Sequence, residues 1–133
     1  MVTSSLKTIL YVDDEDDIRT VAVMAMEIKG LQVTACQSGK EAIEICAKFT
    51  PDLLLLDVMM PEIDGPATLA KLKQFAHLAK TPVVFMTAKT QKHEVDSFKR
   101  LGAIGVITKP FDPITLGDTL AELWQNANTP APV

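Results

Sequence analysis

A chain of 133 residues, 47% hydrophobic and 23% charged, has the size and composition of one globular domain that buries its own core. Its net charge of −4 and its 13 scattered Lys and Arg, with no basic run longer than Lys99-Arg100, argue against direct nucleic-acid binding. No stretch approaches the about 18 apolar residues of a membrane helix, the start reads as no signal peptide, and Cys36 and Cys46 lack metal-like spacing, so a cytoplasmic location with free buried thiols is expected.

An apolar run at residues 7–12 predicts a first strand that ends in the carboxylates Asp13 and Asp14. A helix follows from Asp16 or Asp17 to Lys29, with Ile18, Val21, Ala22, Ala25 and Ile28 spaced as one buried face. The two aspartates suit its positive N-terminal end, and Gly30 stops it. Residues 32–36 read as a second strand. Ser38 and Glu41 form a capping box that opens a helix to about Phe49, with Ala42, Ile43, Cys46 and Phe49 inward. Pro51 separates it from a third strand at residues 53–56, whose four leucines do not alternate and so predict burial on both faces. That strand ends in Asp57. Gly65-Pro66 opens a third helix, the glycine permitting a tight turn, with Leu69, Leu72, Phe75 and Ala76 as its apolar stripe. A fourth strand at residues 83–86 ends at Thr87. A fourth helix is predicted over residues 91–101, with Val95, Phe98 and Leu101 inward and Gly102 after it. A fifth strand at residues 105–108 ends at Lys109. Asp112-Pro113 caps a fifth helix with Leu116, Leu120, Leu123 and Trp124 buried. The folded domain is expected over residues 7–126, with flexible ends at residues 1–6 and 127–133.

Five such βα units predict an α/β fold with a parallel sheet, right-handed crossovers and helices on both faces. Ligands of such sheets bind outside the carboxyl ends of the strands, which gathers Asp13, Asp14, Asp57, Thr87 and Lys109 at one edge. Neighbouring carboxylates repel by about 4 kcal/mol per close pair at a surface-like dielectric. A hard divalent cation such as Mg²⁺ (or Mn²⁺) removes that conflict and favours phosphate oxygens. An aspartate can attack phosphorus to give an acyl phosphate, and Lys109 would neutralise charge on the transferred group. Thr87 can donate its hydroxyl to a phosphoryl oxygen, and the small Ala88 leaves room for the group. His77 and His93 have no ligand spacing and read as surface residues.

Together these residues resemble the receiver domains of two-component response regulators. The likeness rests on Asp13-Asp14, on Asp57 followed by Met60-Pro61-Glu62-Ile63-Asp64-Gly65, on Thr87-Ala88 and on Lys109-Pro110-Phe111, and it covers residues 7–125. It implies a flavodoxin-like doubly wound (βα)5 sheet of strand order 2-1-3-4-5. It implies Asp57 as phosphoacceptor, Asp14 and Asp57 as direct Mg²⁺ ligands with the Met59 backbone carbonyl, Asp13 acting through water, and a cis Lys109-Pro110 bond. A histidine kinase or histidine phosphotransfer protein would be the donor, and a downstream protein would bind the face of the fourth helix, fifth strand and fifth helix. The chain would then be a phosphorylation switch, stand-alone or a phosphorelay intermediate, that catalyses only its own phosphorylation and dephosphorylation and is not an enzyme in the ordinary sense. The aromatic switch position falls on Val106, so any output must use backbone and helix movement. The apolar Met59 and long cationic Lys89 flank the path of attacking water and imply slow self-dephosphorylation.

Rival functions lack their chemistry. An aspartate-nucleophile phosphatase needs an acid two residues after the nucleophile, where this chain has Met59. A flavodoxin-like carrier needs a hydroxyl- and glycine-rich loop after the first strand, where this chain has five acids, Asp13 to Asp17. Neither a GxxxxGK[ST] nor a GxGxxG motif is present. A phosphorylation-independent binding module, or a receiver fragment of a longer regulator, is the remaining alternative.

Overall fold

The computed structural model describes residues 5–128. The parts of the expected flexible ends at residues 1–4 and 129–133 lie outside the described residues. Five parallel strands, β1 (Thr8–Val12), β2 (Gln32–Cys36), β3 (Leu53–Asp57), β4 (Val83–Thr87) and β5 (Ala103–Thr108), stand in the order β2-β1-β3-β4-β5. Between and after them run α1 (Asp16–Ile28), α2 (Gly39–Cys46), α3 (Gly65–Leu72), α4 (Lys92–Arg100) and α5 (Leu116–Asn128). This is the expected doubly wound, flavodoxin-like architecture.

The sheet divides the core in two. Ile9, Tyr11, Leu53, Leu55, Val84 and Met86 face α1 and α5. Leu10, Val12, Leu54, Leu56, Val83 and Phe85 face the other three helices. Every residue of β3 and β4 is buried, because these central strands are covered on both faces. Cys36 and Cys46 are free and buried, and burial pushes their thiols up to about 12 and about 11. Among the described residues no helix is long and apolar enough to cross a membrane.

Local signals account for most boundaries. The Ser38 hydroxyl accepts from the Glu41 N–H, as a capping box requires, and the Asp64 carboxylate accepts from the Ala67 N–H ahead of α3. Other expectations are corrected. In α1 the buried stripe is Ala22, Ala25 and Met26, whereas Val21 is 44% and Ile28 80% exposed. Apolar residues occupy almost every angular position of this helix, so periodicity left its orientation open and packing on the sheet chose it. In α4 only Phe98 is buried, and Leu101 is 52% exposed. α2 stops at Cys46 rather than Phe49, and α3 stops at Leu72, so a separate 3₁₀ turn (Ala76–Leu78) leaves Ala76 on the surface.

α5 begins at Leu116, later than Asp112-Pro113 suggested. The Asp112 carboxylate accepts from the Ile114 N–H and its carbonyl from the Leu116 N–H, which makes a turn ahead of the helix. The helix continues to Asn128, two residues past the expected edge of the domain, where the Asn128 amide donates to the Trp124 carbonyl. Trp124 itself is buried and donates its indole N–H to the Asp52 carbonyl. His77 and His93 are exposed as expected, although His77 Nε2 lies 2.7 Å from the Cys46 carbonyl.

Candidate functional site

The carboxyl ends of β1, β3, β4 and β5 bring their terminal residues to one edge. Asp13 follows β1, Asp57 closes β3, Thr87 closes β4 and Lys109 follows β5. Asp13 is wholly buried and tethered at every polar atom. Its Oδ2 accepts from the Tyr11 hydroxyl at 2.8 Å, and its Oδ1 accepts from the Glu15 N–H at 3.0 Å. Its carbonyl accepts from Arg19 Nη1 at 2.7 Å, and its own N–H donates to the Cys36 carbonyl at 3.1 Å.

Lys109 Nζ lies 3.1 Å from Asp13 Oδ2, 3.2 Å from Asp57 Oδ2 and 3.2 Å from Glu15 Oε1. Burial works against its charge, but hydrogen bonds to and attraction by these acids outweigh that and hold the ammonium above the usual lysine range. Asp57 is 3% exposed. Burial, and then the charge of Asp13, push its carboxyl up to about 7 against the opposing pull of Lys109. Burial and the neighbouring Asp13 hold the Tyr11 phenol far above its ordinary value, so it is a hydrogen-bond donor throughout.

Thr87 is buried, and its Oγ1 accepts from the Lys89 N–H at 3.0 Å. The Lys109 N–H donates to the Thr87 carbonyl, which joins the ends of β4 and β5, and the Lys109–Pro110 bond is cis. Ala88 and Met59 are exposed beside this edge, and Met59 is 64% exposed. Val106 is half-buried and packs on the core under α4. Gly65 does not have the positive backbone angle of a tight turn. It is needed for close approach, since a Cβ there would stand 2.5 Å from the Asp57 carbonyl oxygen.

Carboxylate oxygens of Asp13, Asp14, Glu15 and Asp57 all lie within 4.8 Å of one another, an arrangement compatible with a divalent cation. The residues fit such an ion for a second reason. Among the described residues, Asp14 Oδ1 is the one buried side-chain oxygen or nitrogen without a hydrogen-bond partner. An oxygen-only donor set with one open carboxylate suits Mg²⁺ rather than a softer metal.

The structure thus brings Asp13, Asp14, Asp57 and Lys109 together, with Thr87 joined to Lys109 through the backbone. It adds Tyr11, Glu15 and Arg19, which sequence reasoning missed. Tyr11 read as a strand residue and Glu15 as one of the five acids after the first strand. The only available signal was the i, i+2 spacing that puts Tyr11 and Asp13 on one strand face.

Residues 9–121 match the family model described as the response regulator receiver domain. The chain is 34% identical over 109 residues to the regulatory protein AtoC of Escherichia coli, covering 82% of this chain and 23% of AtoC. It is 39% identical over 105 residues to the response regulator SaeR of Staphylococcus epidermidis, covering 79% of this chain and 44% of SaeR. The chain therefore spans less than half the length of these curated relatives. Among solved structures, the chemotaxis response regulator CheY4 of Vibrio cholerae superposes with a TM-score of 0.82 at 28% identity, covering 90% of this chain and 99% of that one. The receiver domain of the hybrid histidine kinase CckA does so with a TM-score of 0.72 at 33% identity, covering 88% of this chain and 98% of that one.

Proposed function

Because the chain belongs to the response regulator receiver domain family, we propose that it is a signalling switch set by transfer of a phosphoryl group onto Asp57. The observation that carries this reading is the buried Asp57 carboxylate at the end of β3, 3.2 Å from Lys109 Nζ and clustered with Asp13 and Asp14. An ionised Asp57 oxygen attacks phosphorus of a phosphohistidine donor. The P–O bond to Asp57 forms as the P–N bond breaks, and the electron pair leaves with the imidazole nitrogen.

A bound Mg²⁺ or Mn²⁺ would supply positive charge to the transferring group, held by the Asp14 and Asp57 carboxylates and the Met59 carbonyl, with Asp13 acting through water. Lys109 follows the new charge from Asp13 and Glu15 onto the phosphoryl oxygens. Thr87 exchanges its Lys89 N–H partner for the same group. Both moves pull on the β4 and β5 ends and bias the α4-β5-α5 face toward its signalling state. Output runs through protein contacts of that face and through helix movement, since Val106 offers no aromatic rotamer.

The exposed side of α1 gives the donor a place to dock. Val21, Met24 and Ile28 border a groove of about 400 Å³ closed by Pro113 and Ile114. A second depression, shared through Val21 and Pro113, carries it on to Asp17, Phe111 and Lys109 at the acidic edge. Contiguous exposed apolar surface of this kind marks a protein contact, and its continuity with Lys109 favours the phosphohistidine-bearing protein as occupant.

The test is an intact-mass spectrum after incubation with acetyl phosphate and Mg²⁺, beside Asp57→Asn and a chelator control. One phosphoryl adduct, lost in both controls, is expected. No adduct with Mg²⁺ still bound would turn the reading to a phosphorylation-independent binding module.

A further inference from the structure

We propose that Tyr11 is a positioning residue of the acidic edge, whose buried hydroxyl pins Asp13 as the partner of Lys109 before phosphorylation and so leaves Asp14 and Asp57 to touch the cation directly. The inference rests on the receiver reading above and concerns a residue to which that reading gives no role.

Tyr11 sits near the carboxyl end of β1, an inner strand of the sheet, is wholly buried, and shares a strand face with Asp13. Its hydroxyl and Lys109 Nζ converge on the same oxygen, Asp13 Oδ2, at 2.8 and 3.1 Å. The other Asp13 oxygen is held by the Glu15 N–H and the carbonyl by Arg19. With every oxygen engaged, this carboxylate has no free rotation. Asp14, its sequence neighbour, keeps Oδ1 buried and unpartnered. The two adjacent aspartates are thereby given different work by their surroundings, and the phenol is the side-chain donor to the Asp13 carboxylate that is not itself part of the phosphoryl chemistry.

Phenylalanine at this position would fill the same space and remove only the hydroxyl. Asp13 Oδ2 would then be left to Lys109 alone. Held then only through Oδ1 by the Glu15 N–H, the carboxylate could pivot with the ammonium, drawing it from Asp57 and disordering the oxygens that face the cation. Partners that orient metal-ligating groups in this way typically contribute about 10–100-fold to metal affinity.

The test is a calorimetric titration of Mg²⁺ into the full chain, Tyr11→Phe, Asp13→Asn and the double variant, with melting curves in chelator to establish that each folds. About tenfold weaker Mg²⁺ binding is expected for Tyr11→Phe, with no further loss when it is added to Asp13→Asn. A folded Tyr11→Phe whose affinity stays within about twofold of the parent would overturn the proposal, as would an equal loss with and without Asp13. A purely structural tyrosine would lower the melting temperature and leave the affinity alone. Tyr11 is the only tyrosine of the chain. Uniform 3-fluorotyrosine labelling therefore reports on it without substitution, and the fluorine resonance is expected to shift on addition of Mg²⁺. An unmoved resonance in a chain that binds Mg²⁺ also overturns it. Failure of the unsubstituted chain to bind Mg²⁺ would instead overturn the reading on which the proposal rests.

Discussion

Lys109 Nζ lies 3.2 Å from Asp57 Oδ2, and the same ammonium reaches Asp13 Oδ2 at 3.1 Å, so one cation bridges the ends of β1 and β3. Because the side chain of Lys109 is only 11% exposed, this charge is poorly screened by water. Lys109→Ala is expected to slow phosphoryl uptake from acetyl phosphate by about 100-fold, the usual cost of removing one well-placed donor from developing charge. Time-resolved intact-mass spectra would measure it. An unchanged rate would remove Lys109 from the chemistry.

Burial and then the charge of Asp13 push the Asp57 carboxyl up from its ordinary 3.8 to about 7 in the folded protein. Between these values the native state binds the extra proton. Stability from this group is therefore fully present below pH 3.8 and is lost as pH rises through about 7. Asp57→Asn, which never acquires the charge, is expected to raise the melting temperature at pH 8 in chelator by roughly 3 °C or more, and by much less at pH 4. Calorimetry at the two pH values checks the sign.

Gly65 packs its backbone against the end of the strand that carries Asp57. Its N–H donates to the Val58 carbonyl, and an added Cβ would meet Asp57 and Val58 backbone atoms at 2.5 and 3.0 Å. Backbone cannot yield as a flexible side chain does. Gly65→Ala should cost about 1–3 kcal/mol in urea unfolding and reduce phosphoryl uptake beyond what the stability loss explains.

The α1 groove separates two kinds of donor. A carboxylate introduced by Met24→Glu or Ile114→Glu falls on exposed positions, 59% and 78% accessible, so the fold should tolerate it. Transfer from a phosphohistidine protein is expected to fall by about tenfold or more, the weight of one apolar anchor, while uptake from acetyl phosphate stays unchanged. Equal loss with both donors would place the effect in the site rather than in docking.

Met59 and Lys89, each two residues along the chain from Asp57 and Thr87 respectively, are both exposed. One offers no polar group to guide water and the other is a long cation. The acyl phosphate is expected to persist for minutes or longer in Mg²⁺, measured by loss of the mass adduct after donor removal. A half-life of seconds would refute this.

Much of the fold was legible because strand ends carry their own chemistry. Apolar runs that stop at Asp13, Asp57, Thr87 and Lys109 declared both the strands and the edge at which they meet, and Ser38 declared the start of α2 through its cap. Helix ends were misplaced where the signal was missing or marked a turn instead. α2 stops at Cys46 although Phe49 still packs on the core, and α5 starts only after the Asp112 turn.

The sequence alone determined which residue types meet at the site, since strand order and parallel direction bring those ends together whatever the side chains do afterwards. Only the tertiary structure decided which stripe of α1 is buried, leaving Val21, Met24 and Ile28 to form a surface, because an all-round apolar helix takes its orientation from the sheet it packs on. The structure alone also decided who holds whom. Lys109 pairs with Glu15 from 94 residues away, the Tyr11 hydroxyl donates to Asp13, and Asp14 Oδ1 is left without a partner. Such partnerships depend on distances of a few tenths of an ångström between groups remote in the chain, and no local pattern of residues records them.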